Sequence, residues 1–368
     1  MEQSFNNLYR PEPTLDEWRR LYEATIEFKK LKPWKWMHDN DLFAVKNPET
    51  DEYAYCSIMG SMDGYYGITA YLGAEGLNGA FKLINDEISP EDPDSMFMLN
   101  CLMLSLEDRQ FLTEEDRKVI KQLGLRFRGK NEWPLFRSHK PGYFPWYISS
   151  DECRFLTVII NQCIYVALKC KEEGSDFLRY SKAVNEPERI AFYTRIPERK
   201  NGGIKWNDDY VTPPEYTPSY STFEIKDELK VRRLKKLGKQ KGAAWEIDTF
   251  YSPGPVQERP GLRPYYPKVC LVFEQGRGRI LGFNIIKNIE TEGIKFLEMI
   301  NEIIEKYKRF PFKIMVQRDE TYYLLYSYCK QLGITLEKVD RLLNLEEARY
   351  QMHNFFEYVS DTGSESDD

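Results

Sequence analysis

The sequence predicts an α+β domain followed by an α/β domain, the second built as a three-strand meander and then alternating helices and strands. Three observations carry that prediction. A length of 368 residues exceeds what one hydrophobic core usually organises, so two domains are expected. A stretch rich in Pro, Gly and Tyr, with Gly202-Gly203, Pro213-Pro214 and Pro218, separates two regions of regular periodicity. Beyond it, strand patterns alternate with helices long enough to cross over, which implies parallel pairing after the meander. The expected boundaries are 1–196 for the first domain, 197–242 for the linker and a basic helix, 243–359 for the second domain, and 360–368 for an acidic tail.

In the first domain a helix is expected from about Leu15 to Leu31. Trp18, Leu21, Ala24 and Phe28 recur there at helical spacing, and Pro33 stops the element. Strands are expected at Leu42–Lys46, Tyr53–Gly60 and Tyr66–Leu72, with Asn47-Pro48-Glu49-Thr50-Asp51 as the turn between the first two. A helix over Gly76–Ile88, a strand over Met96–Leu104 and a short helix capped by Thr113 follow. An aromatic segment from Trp133 to Tyr147 leads into a long apolar helix over Ser150–Lys171. Residues 197–220 are expected to hold no regular element. Ser221-Thr222-Phe223-Glu224 reads as a capping box opening the basic helix.

In the second domain strands are expected at 244–250, 268–274 and 279–286, the last two joined through Gly276-Arg277-Gly278. Thr291 is expected to cap a helix whose apolar face carries Ile294, Leu297, Ile300, Ile304 and Tyr307. Pro311 ends it. Strand Phe312–Gln317, helix Glu320–Leu332, strand Ile334–Val339 and helix Leu345–Tyr358 complete the order.

Composition narrows the class. Hydrophobic residues make up 42% and charged residues 30%, as in an ordinary globular chain, and no 18-residue uncharged apolar run marks a membrane span. The opening Met-Glu-Gln-Ser-Phe-Asn-Asn lacks the basic and then apolar pattern of a signal peptide. Seven scattered cysteines without a Cys-x-x-Cys pair suit a reducing compartment, so the expected location is cytoplasmic. Cys163 and Cys170 read as small core residues of one helix. Three distant histidines (His38, His139, His353) argue against a Cys/His zinc site. The net charge of −6 argues against general nucleic-acid binding. Local charge differs: Arg232, Arg233, Lys235, Lys236, Lys239 and Lys241 cluster in one segment. Ser360 to Asp368 is acidic, with too little apolar surface to order itself.

Trp245-Glu246-Ile247-Asp248, the hairpin Val272–Gly282 and Ile314–Thr321 resemble the first strand, the second and third strands, and the fourth strand of the ribonuclease-H-like fold, which includes integrases and transposases. The resemblance covers about residues 243–359. It implies carboxylates at strand ends that hold two divalent metals, Mg²⁺ or Mn²⁺, to activate a nucleophile and stabilise a leaving oxygen. On this chain those positions are Asp248 and Asp319, with Glu346 or Glu298 completing the set and Glu347, Glu292 and Glu302 as competitors. The chain departs from the family after Asp319, where Glu320-Thr321 replaces a small residue and glycine. The whole chain also resembles an uncharacterised family of bacterial cytoplasmic two-domain proteins. That likeness rests on Pro33, Trp34 and Trp36, on Tyr55-Cys56-Ser57-Ile58-Met59-Gly60 and on Arg318-Asp319-Glu320, and it implies no activity.

Each candidate also has an ordinary structural use. Asp319 precedes a helix and suits a cap at its positive end. Asn344 and Glu347 form a capping-box-like pair. Asp248 needs only an edge or solvent-facing position. The basic helix with Arg232, Arg233, Lys235 and Lys236 suits either nucleic-acid phosphates or a solvated face. Gly73-Ala74-Glu75-Gly76-Leu77-Asn78-Gly79 lacks the lysine and spacing of a phosphate loop. Trp34, Trp36, Tyr53 and Tyr55 suit either an aromatic binding platform or a core. The first reading is a binding or regulatory protein without catalysis, on a ribonuclease-H-like scaffold whose metal site is incomplete and which takes no cofactor. The alternative is a Mg²⁺- or Mn²⁺-dependent nuclease or strand-transfer enzyme using Asp248 and Asp319. Nucleic acid and protein are candidate partners; a membrane is not expected.

Overall fold

The computed structural model describes residues 11–61, 64–85, 87, 95–179, 181–182, 189–200, 202–237, 239–308 and 310–363. The chain is a mixed α/β protein that divides into two compact units, residues 1–216 and 217–368, each with one mixed sheet.

The first unit opens with α1 (Leu15–Leu31). Thr14 Oγ1 accepts the Glu17 N–H at 3.3 Å and the Glu17 carboxylate accepts the Thr14 N–H at 2.7 Å. This reciprocal cap satisfies donors that the first turn cannot use. Lys32 in the left-handed region and Pro33 end the helix. There follow β1 (Phe43–Lys46), β2 (Tyr53–Met59), β3 (Tyr66–Leu72), α2 (Gly73–Ile84), β4 (Cys101–Glu107), α3 (Glu114–Gln122), β5 (Trp133–His139), α4 (Ser150–Glu173), β6 (Ser181–Lys182), β7 (Ile190–Lys200) and β8 (Gly203–Val211). The sheet runs β5-β4-β3-β2-β1-β7-β6, with β8 also on β7. Only the β1–β7 ladder is parallel among those described.

Strand periodicity splits this core into two layers. Phe43, Val45, Cys56, Ile58, Ile68, Leu102 and Leu104 face α1 and α4. Leu42, Ala44, Tyr55 and Phe192 face α2 through Leu77. By length and composition α4 is the one helix, among the described residues, that could cross a membrane; its stripe of Cys153, Leu156, Ile159, Ile160, Cys163 and Val166 lies in this core. All seven cysteines are buried and free. The tryptophans belong to packing rather than to a platform. Trp34 sits against Phe28 and Tyr66, and the Trp36 indole N–H donates to the Ala167 carbonyl at 2.9 Å. Tyr55 is buried.

The expected linker is largely structured. Residues 190–200 and 203–211 form a long hairpin, β7–β8, that turns at Gly202 with φ 81°. Pro197 is tolerated because β1 pairs with β7 only at Thr194 and Arg195, so the outer half of β7 bonds to β8 alone. Residues 212–227 hold no regular element. The strand expected from Met96 begins only at Cys101, and the aromatic segment contains β5.

The second unit comprises α5 (Glu228–Lys236), β9 (Lys239–Tyr251), β10 (Lys268–Glu274), β11 (Arg279–Ile286), α6 (Ile289–Tyr307), β12 (Phe310–Val316), α7 (Asp319–Leu332), β13 (Thr335–Lys338) and α8 (Leu343–Gly363). Its sheet order is β11-β10-β9-β12-β13. The first three strands are antiparallel neighbours; β12 runs parallel to β9, and β13 parallel to β12. Trp245, Ile247, Cys270, Val272, Ile314 and Val316 face α5, α6 and α7. Ala244, Phe250, Val269, Leu271, Phe273 and Met315 face α8. Every residue of β10 is buried, as expected for a strand covered on both faces.

Several ends differ from expectation for local reasons. The basic helix is capped by Asp227, whose carboxylate accepts from Leu229 and Lys230, not by Ser221. Residues before it stay extended because the Gln331 side-chain amide bonds both backbone groups of Ile225. Asn288, not Thr291, caps α6. Pro311 lies inside β12, at a register shift before the β13 ladder begins at Lys313. Residues 360–363, expected as part of a tail, continue α8; residues 364–368 lie outside the described ones.

A candidate polar site beside the central strand

β9 is the middle strand of the second sheet. Its even positions from Ala244 to Phe250 face α8, so Glu246 and Asp248 enter an otherwise apolar layer two residues apart. Asp248 is 2% exposed and Glu246 3%. A buried carboxylate is costly unless it is bonded, and Asp248 is bonded thoroughly. The Arg318 guanidinium donates to its Oδ2. The Thr321 hydroxyl donates to its Oδ1 at 2.8 Å. Because Thr321 gives its proton to Asp248, its oxygen accepts from the Thr249 N–H at 3.1 Å and from the Thr249 hydroxyl at 2.7 Å. Burial pushes the Asp248 carboxyl above its ordinary range; Arg318 and these donors pull it back without cancelling the shift.

Asp319 and Glu346 of the expected set, and Glu320 beside them, are also paired with cations. Asp319 is in the first turn of α7, not at the cap: Arg318 holds the cap position with no side-chain cap bond. Its side chain is 47% exposed and pairs with Lys338 from β13. A charge there still favours the positive end of the helix. Glu320 pairs with Lys268 at 2.8 Å. Glu346, in the first turn of α8, is clasped by Arg341, which holds its carboxyl below the ordinary range against partial burial, and Arg318 adds to that pull. Asp248 and Glu346 therefore share the field of Arg318. Glu298 is exposed on α6, which packs against the opposite face. Among the described residues, no three His, Cys, Asp or Glu are grouped to hold a metal ion.

The Asn344–Glu347 capping pair does not form. Asn344 Nδ2 donates to Glu246 Oε1 at 2.7 Å across the helix–sheet contact, and Glu347 Oε1 accepts from Gln351 at 2.8 Å. Within the basic helix, Arg232 pairs with Glu228 at 3.6 Å and Arg233 with Glu305 at 2.6 Å. Lys235 and Lys236 are exposed, while Lys239 and Lys241 are on β9.

Sequence reasoning missed Arg318, Thr321, Glu246 and Asn344 as members of this cluster. Arg318 belongs to the Arg318-Asp319-Glu320 run, but its partner is 70 residues away. The one available signal was the pairing logic itself: an aspartate inside an apolar strand requires a cation or donors from elsewhere.

Residues 18–186 match a family model described as a domain of unknown function (DUF7309), and residues 230–353 match another described as a domain of unknown function (DUF6930). A comparison with curated proteins gives no match. The two matched stretches fall one in each compact unit.

Proposed function

We propose that the protein is a non-catalytic binding or regulatory protein whose second unit uses a ribonuclease-H-like scaffold without its hydrolytic centre. The strand order β11-β10-β9-β12-β13 supports the scaffold reading, with its antiparallel meander, its parallel β12 and β13, and helices on both faces. Fold alone does not give activity. The observation that carries the non-catalytic reading is the Asp248–Arg318 contact. A two-metal hydrolase needs several carboxylate oxygens converging on the cations. Here a guanidinium takes the place of a cation on Asp248, and Asp319, Glu320 and Glu346 each hold a cation of their own.

A nuclease assay on single- and double-stranded DNA and RNA, with Mg²⁺ or Mn²⁺ and with chelator, tests this. The expected result is no cleavage that depends on both the metal and Asp248. Metal-dependent cleavage abolished by Asp248→Asn and by Asp319→Asn overturns the proposal and restores the nuclease reading.

A further inference from the structure

The first unit holds a cleft of about 610 Å³ between α1, the β1–β2 turn, α4 and the β7–β8 hairpin. That size lies within the range of small-molecule sites, roughly 300–1,000 Å³. Pro48, Val158 and Ile204 give it apolar walls. Ile204 is 46% exposed, which is high for an isoleucine on a strand.

The charges around these walls are unequal in availability. Both lining carboxylates are engaged by one cation: Arg154 reaches Glu17 at 2.8 Å and Glu49 at 3.0 Å. Burial alone would raise the Glu17 carboxyl, but the Thr14 N–H, Arg154 and Ser150 outweigh it and hold it at about 2. Glu17 is therefore a fixed anion already matched by Arg154. The remaining lining cations are Arg20, Arg199 and Lys200. Arg199 donates to the Pro48 carbonyl at 3.2 Å, a bond that ties the hairpin to the β1–β2 turn. Among the described residues no carboxylate lies within ion-pair distance of it. Arg20 pairs with Asp16 at 2.8 Å and Lys200 with Glu198 at 2.9 Å, both in exposed pairs of the kind worth little and easily exchanged.

We propose that this cleft is a binding site for a small organic anion: a carboxylate or phosphate carried on an apolar body. The body packs on Pro48, Val158 and Ile204, and the anionic group is taken by Arg199 and Lys200, with Arg20 across the opening. An arginine fork suits either oxyanion. The proposal concerns the first unit and does not depend on how the second is read.

Calorimetric titration of the full chain with 1-naphthyl phosphate and with 1-naphthoate tests it, and the two arms separate the oxyanions. Inorganic phosphate and 1-naphthol serve as half-probes. The expected result is one saturable site for at least one of the two anions, with both half-probes weaker. Arg199→Ala/Lys200→Ala weakens binding by about tenfold or more, because charge-assisted hydrogen bonds are lost. These two side chains are exposed, so the variant is expected to keep its fold. A second variant, Val158→Glu, places a charge on the apolar wall and also weakens binding. Absence of saturable binding for both anions overturns the proposal. So does naphthol binding as tightly as the anions, or affinity unchanged in both variants.

Discussion

At the scale of residues, the decisive pair is Asp248 and Arg318. Burial raises the Asp248 carboxyl, so the folded state binds its proton more tightly than the unfolded chain does. The stability this group contributes is complete below the ordinary carboxylate pKa and is lost as pH rises through the raised value. Arg318 limits that loss. Arg318→Met leaves Asp248 buried with Thr321 and the backbone alone, and is expected to destabilise the second unit by about 3–5 kcal/mol at neutral pH. The deficit shrinks on acidification as Asp248 takes up a proton. Asp248→Asn/Arg318→Met, which removes both charges, recovers most of it. Urea melts of the single and double variants at two pH values check all three statements. Equal deficits at both pH values would show that Asp248 does not depend on Arg318.

At the scale of elements, legibility in the sequence followed punctuation. The bounds of α1, β3, β10 and β11 are those expected, because Pro33, the Gly64 region and the Gly276-Arg277-Gly278 turn mark them locally. Elements were missed where tertiary contacts decided. β7 contains Pro197 and β8 opens on Gly203, and only the one-sided pairing of β7 makes the proline acceptable. The extended run before α5 depends on Gln331. The candidate site divides in the same way. Alternation along β9 turns Asp248 away from Trp245 and Ile247, but no local pattern joins residue 248 to residue 318. Strand packing itself makes one sharp prediction. A Cβ on Gly67 of β3 would fall 1.9 Å from the Leu104 carbonyl oxygen on β4. Gly67→Ala therefore forces two central strands apart, and a loss of about 1–3 kcal/mol or more is expected for the first unit. Denaturation of this variant beside wild type measures it; unchanged stability would mean the strands are more loosely spaced.

At the scale of the whole molecule, two compact units each build a mixed sheet with its own core. In the second unit Asp248, Asp319 and Glu346 are each matched with a cation, while Glu298 lies exposed on α6. In the first, a cleft presents exchangeable cations around apolar walls. Both features underlie the proposal that the protein binds rather than cuts. The most direct test of this account is a Mn²⁺ titration of the full chain, followed by calorimetry and by electron paramagnetic resonance of the bound ion. The account predicts no saturable site whose loss tracks Asp248→Asn. A micromolar Mn²⁺ site in wild type that disappears in Asp248→Asn would contradict it.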